Sequence, residues 1–232
     1  MVIIKDIRDK VLIKFKDESI INSLQSGCIY MNSIKVFRKI EKETDDDKVG
    51  DVIDGLLHIN EGVFYSEDLE CIQELKDAAV HTKYSNDFCY CFFGIDSEHN
   101  HGSFSEEQKI KMREMGEYAL IITDFPKFIQ RVVNAANELN YELYGGFVKY
   151  YNPNVDCINV FASLFGKDGL KNVPLLKRDK YSFQQEFRLV IHAPDVNEEY
   201  IILPIGSIED ISVKIKAEEL LKADYIHRTV ES

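Results

Sequence analysis

Apolar residues in the first hundred positions of this chain alternate between strand spacing and helix spacing. Residues 11–15 predict a strand, and a helix follows with Asp17 as its N-cap and Gly27 just past its end. Residues 28–32 predict the next strand. The run FCYCFFGI at residues 88–95 is apolar at nearly every position, which is typical of a strand buried on both faces. The sequence therefore predicts that residues 88–95 lie in the middle of a sheet.

The rest of the chain continues this mixture of spacings. Ser105 and Gln108 have capping-box spacing, and Asp124 with Pro126 begins a helix with one apolar stripe. Further strands are predicted at residues 56–64, 118–123, 147–151, 187–192, 200–204 and 211–215. Further helices are predicted after Ser66, with Leu69, Ile72 and Leu75 on one side, and at residues 217–221. Residues 157–165 fit either a helix or a strand, and we favour a helix.

These elements predict one α+β domain over residues 1–232, with a bent mixed or antiparallel sheet and flanking helices. No internal repeat or low-complexity linker divides the chain. Residues 33–54 are polar and rich in acidic residues, so we expect them to form a mobile segment at the surface.

Composition and charge narrow the class of protein. The chain has 232 residues, of which 45% are hydrophobic and 11% aromatic, enough for a substantial core. A net charge of -12 argues against general binding of nucleic acid, which would have to use a local basic segment. No apolar run reaches the roughly 20 residues that a membrane helix needs. We expect a cytoplasmic protein whose cysteines are reduced, at Cys28, Cys71, Cys89, Cys91 and Cys157.

Candidate chemistry is concentrated in the segment KRDKYSFQQEFRLVIH at residues 177–192. In an extended strand Gln184, Glu186 and Arg188 share one face. A glutamate there can bind a ribose hydroxyl and stabilise positive charge at a glycosidic carbon. The alternative is a solvated strand pair of Glu186 and Arg188, which contributes at most about 1 kcal/mol.

A basic and aromatic group of residues precedes this strand. It consists of Lys177, Arg178, Lys180, Tyr181 and Phe183. Lysine and arginine beside aromatic rings suit a phosphorylated or nucleotide ligand.

Two groups of residues suggest metal binding, but each has a simpler interpretation. The first is the acidic run of Glu41, Glu43, Asp45, Asp46, Asp47, Asp51 and Asp54, which lacks the ligand spacing of a calcium loop and fits a solvated charge run. The second is His99 and His101, which fit a surface loop. We therefore expect no metal cofactor. The signatures of phosphate-loop NTPases, dinucleotide folds and serine hydrolases are also absent.

The order of segments resembles a widespread bacterial and phage family of uncharacterised proteins. The segments that carry this resemblance are SLQSGCIYMNS, the polar loop at residues 35–41, FCYCFFGI and KRDKYSFQQEFRLVI. The family's usual Asn-Asp-Pro is absent, because Phe37 is followed here by Arg38 and Lys39. The resemblance implies an association with mobile elements and phage conflict.

A fainter resemblance is to the ADP-ribosyltransferase fold, carried by Lys14 or Lys16 on the first strand, Tyr30 and Ser33 on the second, and the closing Gln184-Gln185-Glu186. The resemblance implies that Glu186 is catalytic and holds the ribose 2′-hydroxyl of NAD. Gln184 would position the acceptor, and NAD would be bound by Lys14, Tyr30, Ser33, Lys180 and Arg188. The family's usual His or Arg on the first strand is replaced here by lysine.

Three functions follow as hypotheses. The first is an NAD-dependent ADP-ribosyltransferase-like enzyme of phage and host conflict, which predicts a deep cleft lined by Tyr30, Glu186 and Lys180. The second is a non-catalytic module that binds a host or phage protein through an acidic face. The third is a metal-dependent nuclease that uses carboxylates of residues 45–54.

Overall fold

A computed structural model describes residues 3–4, 10–44, 50–66, 71–95, 104–154 and 169–222. Within these residues the strands are β1 Ile3–Ile4, β2 Val11–Lys16, β3 Cys28–Ser33, β4 Leu57–Ser66, β5 Cys71–Val80, β6 Phe88–Ile95, β7 Tyr118–Ile122, β8 Glu142–Phe147, β9 Lys149–Tyr151, β10 Leu176–Arg178, β11 Glu186–His192, β12 Tyr200–Pro204 and β13 Ser212–Lys216. The α-helices are α1 Glu18–Gln25, α2 Ile34–Thr44, α3 Glu106–Arg113, α4 Phe125–Glu138 and α5 Ala217–Leu221. The 3-10 helices are Gly169–Leu175, Asp179–Gln184 and Glu209–Ile211.

Nine of these strands form one sheet. The main order is β1-β8-β11-β6-β2-β7-β13, and β3 pairs with both β6 and β12. Only the pair of β1 and β8 is parallel, and the other pairs in this sheet are antiparallel. The predicted α+β class, with a mostly antiparallel sheet and flanking helices, is confirmed. Two smaller sheets pair β4 with β5 and β9 with β10.

The central position predicted for residues 88–95 is confirmed, because β6 pairs with β11 along one edge and with β2 and β3 along the other. One face of the sheet packs on α1 and α4, and the opposite face packs on α3 and α5. Leu12 and Ile13, adjacent on β2, belong to these two different cores. Helices on both faces explain why β6 is apolar throughout.

The two strands on one edge of β6 separate from each other. β2 pairs with residues 93–95 of β6, whereas β3 pairs with residues 88–89. Residues 90–92 therefore pair with neither strand on that edge. This split in the sheet provides the space for the site described below.

Local signals correctly placed several helix ends. Ser105 forms the predicted capping box with Gln108, and the Asp124 side chain accepts a hydrogen bond from the Lys127 amide. Gly27 follows α1 with φ of +100°, a conformation that favours glycine. The strand predicted at residues 147–151 is instead divided between β8 and β9.

The prediction of a helix after Ser66 is wrong for its described part, because residues 71–80 form the strand β5. Its backbone pairs with β4 from Leu57↔Val80 to Ser66↔Cys71. Three apolar residues at helical spacing are too few to stabilise a helix against nine antiparallel residue pairs. Leu69, the predicted helix at residues 157–165, Cys157, His99 and His101 lie outside the described residues.

The prediction of a mobile surface segment at residues 33–54 is also wrong for the described part of that segment. Residues 34–44 form α2, whose first residue, Ile34, packs with Cys89, Tyr144 and Val190. The apolar residues of this amphipathic helix contact the sheet, while its polar residues account for the hydrophilic sequence. Among the described helices, none is long and apolar enough to cross a membrane.

Two glycines from separate turns that approach each other provide a test of this fold. Gly27 and Gly206 both have positive φ, +100° and +72°. A Cβ added to Gly27 would lie 2.1 Å from the Gly206 carbonyl oxygen, whereas a Cβ on Gly206 would meet nothing within 4 Å. We expect Gly206→Ala to cost about 1 kcal/mol of unfolding free energy, from its left-handed backbone alone. Gly27→Ala should cost clearly more, because the backbone must also move.

Urea denaturation gives the unfolding free energy of each variant, and these two values measure the difference. The slope of the free energy against urea concentration should be the same for both variants. Equal losses for the two variants would contradict the close approach of the chain at Gly27.

Candidate functional site

A cavity of about 550 Å³ lies where β2 and β3 separate along β6. Its volume falls within the range of small-molecule sites, about 300 to 1,000 Å³. Most of its surface is apolar, contributed by side chains that include Phe15, Tyr90, Phe92 and Phe93. An apolar cavity with few polar groups is the usual form of a ligand site.

The structure brings together four of the residues that the sequence singled out. Lys14, Tyr30, Gln184 and Glu186 all line this cavity. They come from β2, β3, a 3-10 helix and the first position of β11, so only the fold places them together. Lys16, the alternative to Lys14, also lines it.

The other three predicted residues lie outside the cavity lining. Ser33 is buried, and its hydroxyl donates a hydrogen bond to the Asn86 carbonyl at 3.2 Å. Lys180 is partly exposed and forms an ion pair with Glu41 at 3.0 Å. Arg188 is 1% exposed and is enclosed by protein groups. The cleft predicted from Tyr30, Glu186 and Lys180 therefore includes the first two only.

Gln184 and Glu186 are positioned by a sharp bend rather than by one continuous strand. Gln184 ends a 3-10 helix, Gln185 is left-handed with φ of +42°, and β11 begins at Glu186. The Gln185 side chain donates a hydrogen bond to the Gly94 carbonyl at 2.7 Å, and the Gln185 carbonyl accepts one from the Gly94 amide at 2.9 Å. Lys177 Nζ then donates to both Gln184 Oε1, at 2.6 Å, and Glu186 Oε1, at 2.7 Å.

Glu186 belongs to a buried network of charges. Arg188 Nε donates to Glu186 Oε2 at 2.7 Å, so each carboxylate oxygen accepts from a different cation. The Arg188 guanidinium also binds Asp54 through two hydrogen bonds, at 2.6 and 2.9 Å, and the Pro174 carbonyl at 2.8 Å. Arg188 and Asp54 are each 1% exposed. The interpretation of Glu186 and Arg188 as a solvated strand pair is therefore wrong.

A second set of ion pairs extends this network towards the surface. Arg178 binds Asp51 at 2.5 Å and Glu41 at 2.9 Å, and Tyr181 donates its hydroxyl hydrogen to Glu41 at 3.0 Å. Three acids of the run predicted to be solvated are thus bound by cations. Glu41 and Asp51 neutralise Arg178 and Lys180 in the basic segment before β11, whereas Asp54 neutralises Arg188 within β11. Those basic side chains are held by protein carboxylates instead of facing the cavity.

The network keeps Glu186 ionised. Burial by itself raises the pKa of a carboxyl group, but here Arg188 and Lys177 outweigh burial and hold the pKa of Glu186 well below its usual 4.5. Glu186 is thus a carboxylate at every physiological pH. It can accept hydrogen bonds and stabilise positive charge, but it cannot serve as a proton donor.

Lys14 is the contrasting charge in the same cavity. Its Nζ donates to the Cys91 carbonyl at 2.7 Å, and it lies 4.2 Å from the centre of the Tyr90 ring. That carbonyl belongs to the part of β6 that pairs with neither β2 nor β3, so Lys14 replaces a missing strand partner. Burial lowers the pKa of Lys14 to about 8.

Sequence reasoning missed the contribution of β6 to this site. Cys89, Tyr90, Cys91, Phe92 and Phe93 all line the cavity. Their apolar pattern was correctly assigned to a central strand, but the pattern could not show that an edge of that strand is left open. The available signal was polar: Lys14 interrupts the otherwise apolar strand at residues 11–15.

Metal binding finds no support in the described residues. Within the described ranges, no three His, Cys, Asp or Glu side chains are arranged to hold a metal ion. The carboxylates of Asp51 and Asp54 are instead bound by arginines. Asp45, Asp46 and Asp47 lie outside the described residues.

Comparisons with protein-family models, with curated proteins and with solved structures found no match to this chain.

The buried network can be tested against an exposed pair of the same geometry. Arg131 and Asp210 also form two hydrogen bonds, at 2.9 and 2.7 Å, but the Asp210 side chain is 59% exposed. We expect Asp54→Asn to lower the unfolding free energy by about 3 to 5 kcal/mol, because it leaves part of the buried Arg188 charge uncompensated. Asp210→Asn should have a much smaller effect, since water solvates both members of the pair of Arg131 and Asp210.

Chemical denaturation at neutral pH gives both values. Similar losses in the two variants would mean that the pair of Arg188 and Asp54 is not shielded from water.

Proposed function

We propose that this chain is an ADP-ribosyltransferase-like enzyme that cleaves the bond between nicotinamide and ribose in NAD. The observation that carries the proposal is Glu186, a carboxylate held ionised at the edge of an apolar cavity of ligand size. Tyr30, Gln184 and Lys14 line the same cavity. Together with Glu186, they make up four of the residues that the resemblance to this enzyme class singles out.

The proposed chemistry needs a fixed negative charge beside the reacting carbon. When the glycosidic bond breaks, positive charge develops on the ribose, and nicotinamide leaves as a neutral molecule. A carboxylate positioned in a site of low polarity stabilises that charge without reorganising during the reaction. Glu186 meets this requirement, because Lys177 and Arg188 keep its carboxylate ionised and fix its orientation.

Glu186 also retains capacity to bind substrate. A carboxylate has about four acceptor positions. The described residues supply one donor to each Glu186 oxygen, at 2.7 Å in both cases. In the proposal a ribose hydroxyl is the third donor, which would orient the sugar over the carboxylate.

The remaining lining suits the rest of a dinucleotide. Phe15, Tyr90 and Phe93 offer ring faces or edges to nicotinamide or adenine. Lys14 and Lys16 are the cations available to the diphosphate. Tyr30 is 46% exposed and stacks on Tyr200, with 4.5 Å between ring centres, so it would support a ring at the mouth of the cavity.

One observation supports the second candidate, a module that binds a host or phage protein. Tyr30, Tyr200 and Ile202 are all large, exposed apolar side chains on the paired strands β3 and β12. Clustered exposed apolar groups mark interaction surfaces. In the enzyme proposal the same surface would receive the acceptor of ADP-ribose, and the resemblance to phage-associated proteins suggests a host or phage acceptor.

Calorimetric titration with NAD tests the enzyme proposal. We expect saturable binding by the unmodified protein and binding about fivefold weaker for Tyr30→Ala, which removes a ring contact worth about 1 kcal/mol. Lys180→Ala is the matched control, because Lys180 pairs with Glu41 outside the cavity. It should bind NAD like the unmodified protein.

Nicotinamide release, followed by chromatography, tests the chemistry. Glu186→Gln should slow release at least about 100-fold, the usual loss for one charge-stabilising group, while thermal unfolding confirms that the variant is folded. Absence of NAD binding by the unmodified protein contradicts the proposal, as does binding without any release of nicotinamide.

A further inference from the structure

Lys14, which is half-buried, differs from the fully buried Lys177 near the site. Lys177 is 2.7 Å from the Glu186 carboxylate, and its pKa is raised despite burial, because Glu186 and Asp54 attract its charge. Lys14 forms its described hydrogen bond with a neutral carbonyl, that of Cys91. Within the described ranges, no carboxylate forms an ion pair with Lys14.

The surroundings of Lys14 favour loss of its proton. Burial disfavours the ammonium, and Lys16 on the same strand disfavours it further, while Cys91, Glu186 and Cys89 act in the opposite direction. The balance lowers the pKa of Lys14 to about 8. At pH 7.5 the free-amine fraction is then roughly 200 times that of an ordinary lysine.

The position of Lys14 makes that amine available to a ligand. It extends from the rigid strand β2, which pairs with β6 and β7, into the cavity between β2 and β3. Tyr90 lies beneath its Nζ, and Phe15 and Phe93 supply further apolar lining. A lysine desolvated in an apolar pocket is the arrangement in which the amine acts as a nucleophile towards carbonyl compounds.

We propose that Lys14 is an imine-forming residue that captures a small aldehyde or ketone with an aromatic or apolar body. The neutral amine attacks the carbonyl carbon and forms a C–N bond, giving a carbinolamine after one proton moves from nitrogen to oxygen. The hydroxyl then leaves with the second nitrogen proton as water, and a C=N bond forms. No oxidant or reductant is required.

The cavity favours the imine over its hydrolysis. Its mainly apolar lining lowers the local amount of water, which is the product of imine formation. Aromatic side chains can pack against the body of the ligand, and Lys16 is placed to pair with an anionic group on it. Lys177 lacks these features, because it is 2% exposed and its ammonium is held by Glu186 and Gln184.

This inference goes beyond NAD cleavage and does not depend on it. At pH 7 a lysine with a pKa of about 8 is still about nine-tenths protonated, so the same side chain can also attract a diphosphate. The two activities are separable in experiment, because imine formation is measured without NAD.

The probe is pyridoxal 5′-phosphate, an aromatic aldehyde with a phosphate, used at less than one equivalent with sodium cyanoborohydride to trap the imine. Peptide mass spectrometry then gives the labelled fraction of each lysine. We expect Lys14 to be labelled at least about tenfold more than the average lysine, because of its larger free-amine fraction. Its labelling should rise with pH through a midpoint near 8, since the deprotonated amine reacts.

Lys14→Arg keeps a cation in the cavity but cannot form the imine, and Lys127→Arg is the control, because Lys127 lies on α4 and outside the cavity lining. Lys14→Arg should abolish the selective label while Lys127→Arg retains it, with thermal unfolding used to verify both folds. Uniform labelling of all lysines, or a Lys14 midpoint near 10.5, would overturn the proposal. Failure of NAD binding alongside selective labelling would reject only the proposed NAD cleavage.

Discussion

The buried Arg188 guanidinium is the group on which the architecture of this site depends. An arginine that is 1% exposed has given up its hydration, so every side of it must be met by protein acceptors. Asp54, Glu186 and the Pro174 carbonyl supply them. Because these acceptors come from three separate segments, one charge holds the loop before β4, a 3-10 helix and the start of β11 in a single arrangement.

That arrangement determines the chemistry of the cavity. Glu186 is ionised because two cations flank it, and this property survives changes of pH that would neutralise an ordinary buried carboxyl group. Lys14, a short distance along the same lining, has no such partner among the described residues and is governed mainly by burial. The cavity therefore combines a permanent negative charge with an amine that titrates near neutral pH. The first suits charge stabilisation and the second suits bond formation.

The split in the sheet makes both properties accessible. If β2 and β3 met end to end along β6, the Cys91 carbonyl would be bonded within the sheet and the space beside it would be filled. Instead, residues 90–92 of β6 have an open edge, and Lys14 binds that carbonyl with its side chain. The open edge of β6 thus leaves space for the cavity, and the Cys91 carbonyl on that edge fixes the orientation of the Lys14 amine.

Local patterns in the sequence were sufficient for the α+β class, the central strand at residues 88–95, the capping box of Ser105 and the placement of Glu186 at the start of a strand. These features depend on spacing within a few residues, which the sequence states directly. The pairing of Asp54 with Arg188 and the convergence of Lys14, Tyr30 and Glu186 were decided by tertiary structure alone. Contacts between residues more than a hundred positions apart leave no periodic signal, since any acid can neutralise any cation that folding brings beside it.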